Sequence, residues 1–170
     1  MFTDILSGPE STNVVTIAWS SDGRQVSFAC TQDNSPNGTK KAAIIINDVN
    51  STDLFSYKST MKFHHETNIS CMAYRPNHKN LDHNLLITCA QNDYSIWSSN
   101  GNSVAKEPSN VRITSLAWHH SGEFVAFGYE NGRISIRNGS NNKLQEIMKF
   151  DMKMLTGQQI FGLAFRPEIV

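Results

Sequence analysis

Six histidines and three cysteines are the chain's first candidates for chemistry. His64-His65-Glu66 begins like the zinc-hydrolase signature HExxH. That signature needs a second histidine four residues on, on a helix, so that both rings share a face and the Glu serves as base. Four residues after His65 stands Ile69, in a segment patterned like a strand. The spacing rejects the motif. His78, His83 and Cys89 fall at irregular intervals around a loop and a strand, which fits polar loop histidines and a buried thiol better than a zinc site. His119-His120 follows Trp118 in a turn pattern. Neighbours on a strand point opposite ways, so these two cannot easily share a metal and are expected to be solvated turn residues.

Nucleophilic chemistry fares no better. A nucleophile needs a base within hydrogen-bond reach and an oxyanion hole, and the chain carries no G-x-S-x-G elbow. Cys71 and Cys89 lie mid-strand in apolar company, which predicts inert, buried thiols. Asn37-Gly38-Thr39-Lys40 is too short for a phosphate loop and has no helix after it. Fifteen basic residues balance fifteen acidic ones. Lys40-Lys41, Lys143, Lys149 and Lys153 form no dense patch with aromatics between them, which argues against nucleic acid. The reading is therefore no enzyme, no cofactor and no small-molecule substrate.

Composition points to turn-rich β structure. The hydrophobic share is 39%, and Asn, Ser and Thr are abundant. Cys30, Cys71 and Cys89 are an odd, widely spaced set without a CxxC, so reduced thiols and a cytosolic setting are expected. The start, MFTDILSGPESTN, has no basic n-region and no long apolar run, so it does not read as a signal peptide. The sequons at Asn37, Asn50, Asn68 and Asn138 are then expected to be unused. No stretch approaches the roughly 18 apolar residues of a membrane helix.

Four segments align: VTIAWSSDG (15–23), ISCMAYRPN (69–77), ITSLAWHHSG (113–122) and IFGLAFRPE (160–168). Each places Ala before an aromatic, namely Trp19, Tyr74, Trp118 and Phe165, at intervals of 55, 44 and 47 residues. Both faces of these segments are semi-apolar, as in a strand lying between neighbouring sheets. Second strands follow as QVSFAC, LLITCA and FVAFGY, and third strands as AAIIIND (42–48), DYSIWSS (93–99) and GRISIRN (132–138). Weaker fourth strands read as LFSYKS (54–59), SVAKE (103–107) and KLQEIMKF (143–150). Turn residues separate them, among them Asp22-Gly23, Asn100-Gly101, Gly122, Asn131-Gly132 and Asn138-Gly139. KLQEIMKFDMKMLTG (143–157) also has apolar residues at helical spacing, but the repeat register favours strand then loop.

Four short strands repeated at this period predict an all-β fold of β-propeller blades. The expected division is a lead-in at 1–13, blade A at 14–60 with a polar insertion at 31–42, blade B at 61–107 and blade C at 108–157. Residues 158–170 would open a further blade. That makes about three four-stranded blades and the first strand of a fourth. Propellers close with about four to eight blades. The expectation is thus an incomplete ring, and a part of a longer product.

These segments resemble the WD40 repeat family. His65, four residues before Ile69, stands where the family has its loop histidine, and Ser109 takes that place one repeat later. Trp97 holds the closing Trp position, followed by Ser98 instead of Asp. Asn131, before Gly132, takes the turn Asp position, and Arg137-Asn138 replaces Trp-Asp. Trp19, His65, Tyr74, Trp97, Trp118, Asn131, Gly132 and Phe165 are accordingly expected as structural repeat positions. Over residues 60–168 the order HHETNISCMAYRP, LLITCAQNDYSIWSS, ITSLAWHHSGEFVAFGYENGRISIRN, QQIFGLAFRP is similar to WD-repeat subunits of intraflagellar transport complex A. The resemblance implies a non-catalytic scaffold in the cytoplasm, the cilium and its base, acting in retrograde transport and ciliary entry. Its partners would be the other subunits, without nucleic acid or membrane insertion, and the partner-binding residues stay unassigned. Two alternatives remain. One is a WD40 scaffold of another assembly, such as a vesicle coat or RNA processing. The other is a metal-dependent or hydrolytic site at the propeller channel, with His65, His78 and Asp93 as members.

Overall fold

The computed structural model describes residues 13–32, 41–49, 57–65, 67–76, 85–98, 100–151 and 158–166. Among these, twelve strands build three four-stranded sheets. Sheet A contains β1 (Asn13–Trp19), β2 (Gln25–Gln32), β3 (Lys41–Val49) and β4 (Tyr57–His65). Sheet B contains β5 (Ile69–Tyr74), β6 (Leu86–Ala90), β7 (Asp93–Trp97) and β8 (Ser103–Pro108). Sheet C contains β9 (Ile113–Trp118), β10 (Phe124–Tyr129), β11 (Arg133–Asn138) and β12 (Glu146–Asp151). Within each sheet, consecutive strands are antiparallel neighbours. The all-β expectation of three four-stranded, blade-like sheets holds.

Turn chemistry sets the short connections. Gly132 sits at φ 82°, a left-handed conformation that costs glycine little, and its N–H donates to Tyr129 O at 3.2 Å. Asn131 Oδ1 accepts the Arg133 N–H at 3.1 Å and braces the same turn.

The first strands lie side by side, β1 against β5 and β5 against β9. Two cores fill the seams between the sheets. Ala29, Ile44 and Ile46 of sheet A meet Ile69, Met72, Tyr74 and Leu86 of sheet B. Ile87, Cys89, Tyr94 and Ile96 of sheet B meet Ile113, Val125, Phe127 and Tyr129 of sheet C. Every residue of β6 is buried, because one face serves each seam. Each fully buried large side chain contributes about 1.5–3 kcal/mol relative to exposure.

A hydroxyl near the start of β5 and β9 also ties each sheet to the next. Ser70 Oγ reaches Cys89 O at 3.1 Å and Ile113 O on β9. Thr114 Oγ1 reaches Gly128 O at 3.2 Å and Ile160 O at 2.7 Å. Ile160 thus stands to sheet C as Ile113 stands to sheet B. Its N–H donates to Tyr129 O at 3.2 Å. Residues 158–166 take the place of a next first strand but pair with no strand. Gly128 permits this approach: a Cβ there would lie 2.6 Å from Ile160 Cγ2 and collide with Ser115 Oγ.

Several elements differ from the sequence reading. β4 continues to His65, past the expected boundary at 60, because nine-residue β3 offers a ladder long enough to pair it. Lys41 and Ala42, assigned to the polar insertion, pair with Gln32 and Thr31, while 33–40 lie outside the described residues. Of the expected fourth strand of sheet A, 54–59, residues 57–59 open β4, while 54–56 lie outside the described residues. The strand favoured over a helix at 143–150 forms as β12 but begins three residues later, at Glu146, and its pairing with β11 satisfies the backbone groups, while 152–157 lie outside the described residues. His120 is exposed, as a solvated turn residue should be, but His119 is half-buried and the two ring centroids are 4.0 Å apart. Both follow the end of β9, so strand alternation no longer governs them.

Candidate functional site

The repeat positions are spread over all three sheets and the segment 158–166. Trp19 ends β1, opposite Val26, and is 58% exposed. His65 ends β4, opposite Ala42. Tyr74 ends β5 and is buried, with its hydroxyl 2.5 Å from Ser27 Oγ across the seam to sheet A. Burial pushes its phenol above the ordinary value, with Asp22 and Asp48 adding to the push and the Ser27 hydrogen bond opposing it. Trp97 ends β7 and donates its indole N–H to Thr88 Oγ1 at 2.8 Å. Trp118 ends β9 and packs on the core between sheets B and C. Gly139 leaves room for its ring, since a Cβ there would collide with it. The Trp118 Nε1 finds no hydrogen-bond partner among the described residues. Phe165 stands edge-on to His119, with centroids 5.2 Å apart at 84°.

The two tryptophans therefore predict opposite responses to the same change. Trp97→Phe removes an indole donor that satisfies Thr88, and is expected to cost about 1 kcal/mol. Trp118→Phe removes a donor that satisfies nothing, and is expected to stay within about 0.5 kcal/mol. Urea unfolding of both variants reads the difference. An equal loss in both would contradict the hydrogen-bond assignment.

One densely connected polar group, Arg137, is a residue the sequence reading treated only as a departure. In sheet B, Trp97 faces Leu86. In sheet C, Arg137 faces Val125 in the matching register. Its Nη1 donates to Tyr94 OH at 3.3 Å and Leu144 O at 3.2 Å, and its Nη2 to Tyr129 OH at 3.3 Å. Nε reaches Ser135 Oγ at 3.4 Å, and Nη2 lies 3.6 Å from Glu146 Oε2. The guanidinium also sits 5.2 Å from the Phe127 ring centre and 5.5 Å from that of Tyr94. Tyr94 belongs to sheet B, so Arg137 bolts two sheets together. Burial works against its charge, but the two tyrosines and Glu146 outweigh that and hold the group above its ordinary value. Burial raises the Tyr94 phenol as well, with Arg137 pulling it back. A basic residue at a closing-Trp position, two after a serine and with Tyr129 ending the strand before it, was the available signal.

His78 and His83 lie outside the described residues. Asp93 pairs with Lys106 at 3.3 Å. Among the described residues, no three His, Cys, Asp or Glu side chains gather as ligands, and no helix is long and apolar enough to cross a membrane. What the surface does present is apolar: Val15, Ile17 and Trp19 on β1 are 46%, 54% and 58% exposed, and Phe161 is 85% exposed.

Residues 80–165 match the family described as "Anaphase-promoting complex subunit 4 WD40 domain". The intraflagellar transport protein 122 homolog of Mus musculus is 34% identical over 87 residues, 51% of this chain and 7% of that protein. The homolog of Danio rerio is 29% identical over 107 residues, 63% of this chain and 8% of that protein. The matched stretch is thus a small part of the length of these relatives. Among solved structures, Sqt1 from Chaetomium thermophilum superposes with a TM-score of 0.67 at 13% identity, covering 88% of this chain and 38% of that one. The Cps50 (Swd1) β-propeller domain of Myceliophteria thermophila gives 0.62 at 14% identity, covering 88% and 45%. At such identities these two speak to the fold alone, and that fold is the β-propeller.

Proposed function

The chain belongs to the WD40 family, and from that premise we propose that it is a non-catalytic scaffold segment of an intraflagellar transport complex A subunit. WD40 propellers are interaction scaffolds: rigid sheets hold loops and faces for other proteins. The observation that carries the finer reading is the 34% identity to an intraflagellar transport protein 122 homolog over 87 residues. Under it, the partners are other complex A subunits. The site of action is the cilium and its base, and the role lies in retrograde transport, cilium assembly and protein entry. The exposed apolar row Val15, Ile17 and Trp19 would seat a further blade of the same protein. Repeats bury their faces only against neighbours, and the relatives are many times longer than the matched stretch.

Affinity purification of the tagged chain from ciliated cells tests the reading. Co-enrichment of complex A subunits over an unrelated WD40 control is the expected result. Recovery of anaphase-promoting complex subunits instead, in line with the family description, would assign the scaffold to that assembly and end the ciliary reading. Recovery of neither would also count against it.

A further inference from the structure

We infer that Cys71 and Cys89 form a redox-active dithiol, a covalent modification site in the seam between sheets B and C that a peroxide converts to a disulfide. The two residues stand directly opposite each other on β5 and β6. Cys89 lies in the core between sheets B and C, and Cys71 packs against that core. Opposed residues in an antiparallel pair have Cα atoms about 4.5–5.5 Å apart. That range lies inside the about 4.4–6.8 Å that a disulfide spans. No strand has to change register. Cys30 has no such geometry, since it faces Val14 on one side and Ala43 on the other.

Burial divides the roles of the two sulfurs. Cys71 is half-buried and Cys89 fully buried. Burial pushes the Cys89 thiol well above its ordinary value, and the Cys71 thiol opposite adds to the push. Cys71 is therefore the sulfur that an oxidant meets first. Its thiolate attacks one peroxide oxygen: the S–O bond forms, the O–O bond breaks, and hydroxide leaves as water with the Cys71 proton. The Cys89 thiol then attacks the sulfenic sulfur. The S–S bond forms and the S–O bond breaks, and a second water carries away the sulfenic oxygen and the Cys89 proton. Two thiols are oxidised and one peroxide is reduced to two waters. The product ties β5 to β6 and restricts the unfolded chain between them, so the oxidised form is expected to unfold at higher urea.

The test exposes the 170-residue chain to hydrogen peroxide, alkylates it and maps the thiols by mass spectrometry. Alkylatable cysteines should fall from three to Cys30 alone, with a Cys71–Cys89 peptide that dithiothreitol reopens. Cys30→Ser should keep the crosslink, while Cys71→Ser and Cys89→Ser should each lose it. Three intact thiols in a tube where added glutathione is fully oxidised would overturn the inference. So would a crosslink that contains Cys30, or Cys71 oxidised to sulfinic acid beside an intact Cys89 thiol. The Cys30→Ser variant carries the test if either partner substitution fails to fold.

Discussion

Phe127→Ala is expected to cost about 3–5 kcal/mol, the range for emptying a buried aromatic site. Phe127 has no exposed surface and lies in the core between sheets B and C. Its ring stands edge-on to Tyr94 of sheet B, with centroids 5.2 Å apart at 72°. The Arg137 guanidinium lies over the ring, 5.2 Å from its centre. Truncation leaves a void that neither rigid neighbour can fill without releasing its own contacts. A domain of this size has only about 5–15 kcal/mol of stability in total, so the variant sits near the edge of folding. Urea unfolding followed by tryptophan fluorescence measures the loss. A midpoint within error of the parent would mean that the seam between the sheets is not packed as described.

Arg137→Ala comes second, with an expected loss of about 2 kcal/mol for charge-assisted hydrogen bonds in a partly screened site. Tyr129 OH keeps Ser135 Oγ at 3.0 Å after the change, which limits the damage. Leu144 O loses the donor that Arg137 supplies. Arg137→Lys keeps the charge but loses the planar fork that reaches several acceptors at once, so it should fall between the two. The sharper test is Arg137→Trp, which restores the family's usual residue. In sheet B the Trp97 indole finds Thr88, which lies opposite Ser95. The matching position in sheet C, opposite Ser135, is Phe127, which accepts no hydrogen bond. Arg137→Trp should therefore destabilise by about 1–3 kcal/mol through overpacking and lost bonds. A gain in stability from that substitution would show that Arg137 is a tolerated drift from the family pattern rather than a replacement device.

Both predictions turn on one difference between reading a repeat and reading a structure. The alternation around Trp19, Tyr74, Trp118 and Phe165 was enough to find the four aligned segments, because strand burial follows a period of two that the chain carries openly. Third strands such as Asp93–Trp97 and Arg133–Asn138 were equally plain, since turn residues flank them. β4 was less legible. Its residues 57–65, YKSTMKFHH, are polar and weakly patterned, and their strand state depends on the long partner β3. The same holds for 158–166: the apolar pattern of a first strand is present, but a strand needs a paired ladder, and these residues pair with no strand.

The sequence by itself determined the architecture: all-β, four short strands per unit, about three units, and a resemblance to WD40 scaffolds. It could do so because period, turn chemistry and repeat interval are local properties. Tertiary structure alone decided which departures from the repeat matter. Arg137 reads as a missing tryptophan until Tyr94, from a different sheet, is seen 3.3 Å from its guanidinium. Cys71 and Cys89 read as two separate core thiols until register sets them opposite each other. Contacts between residues distant in the chain depend on strand register and on how sheets pack, and neither can be read from the order of residue types.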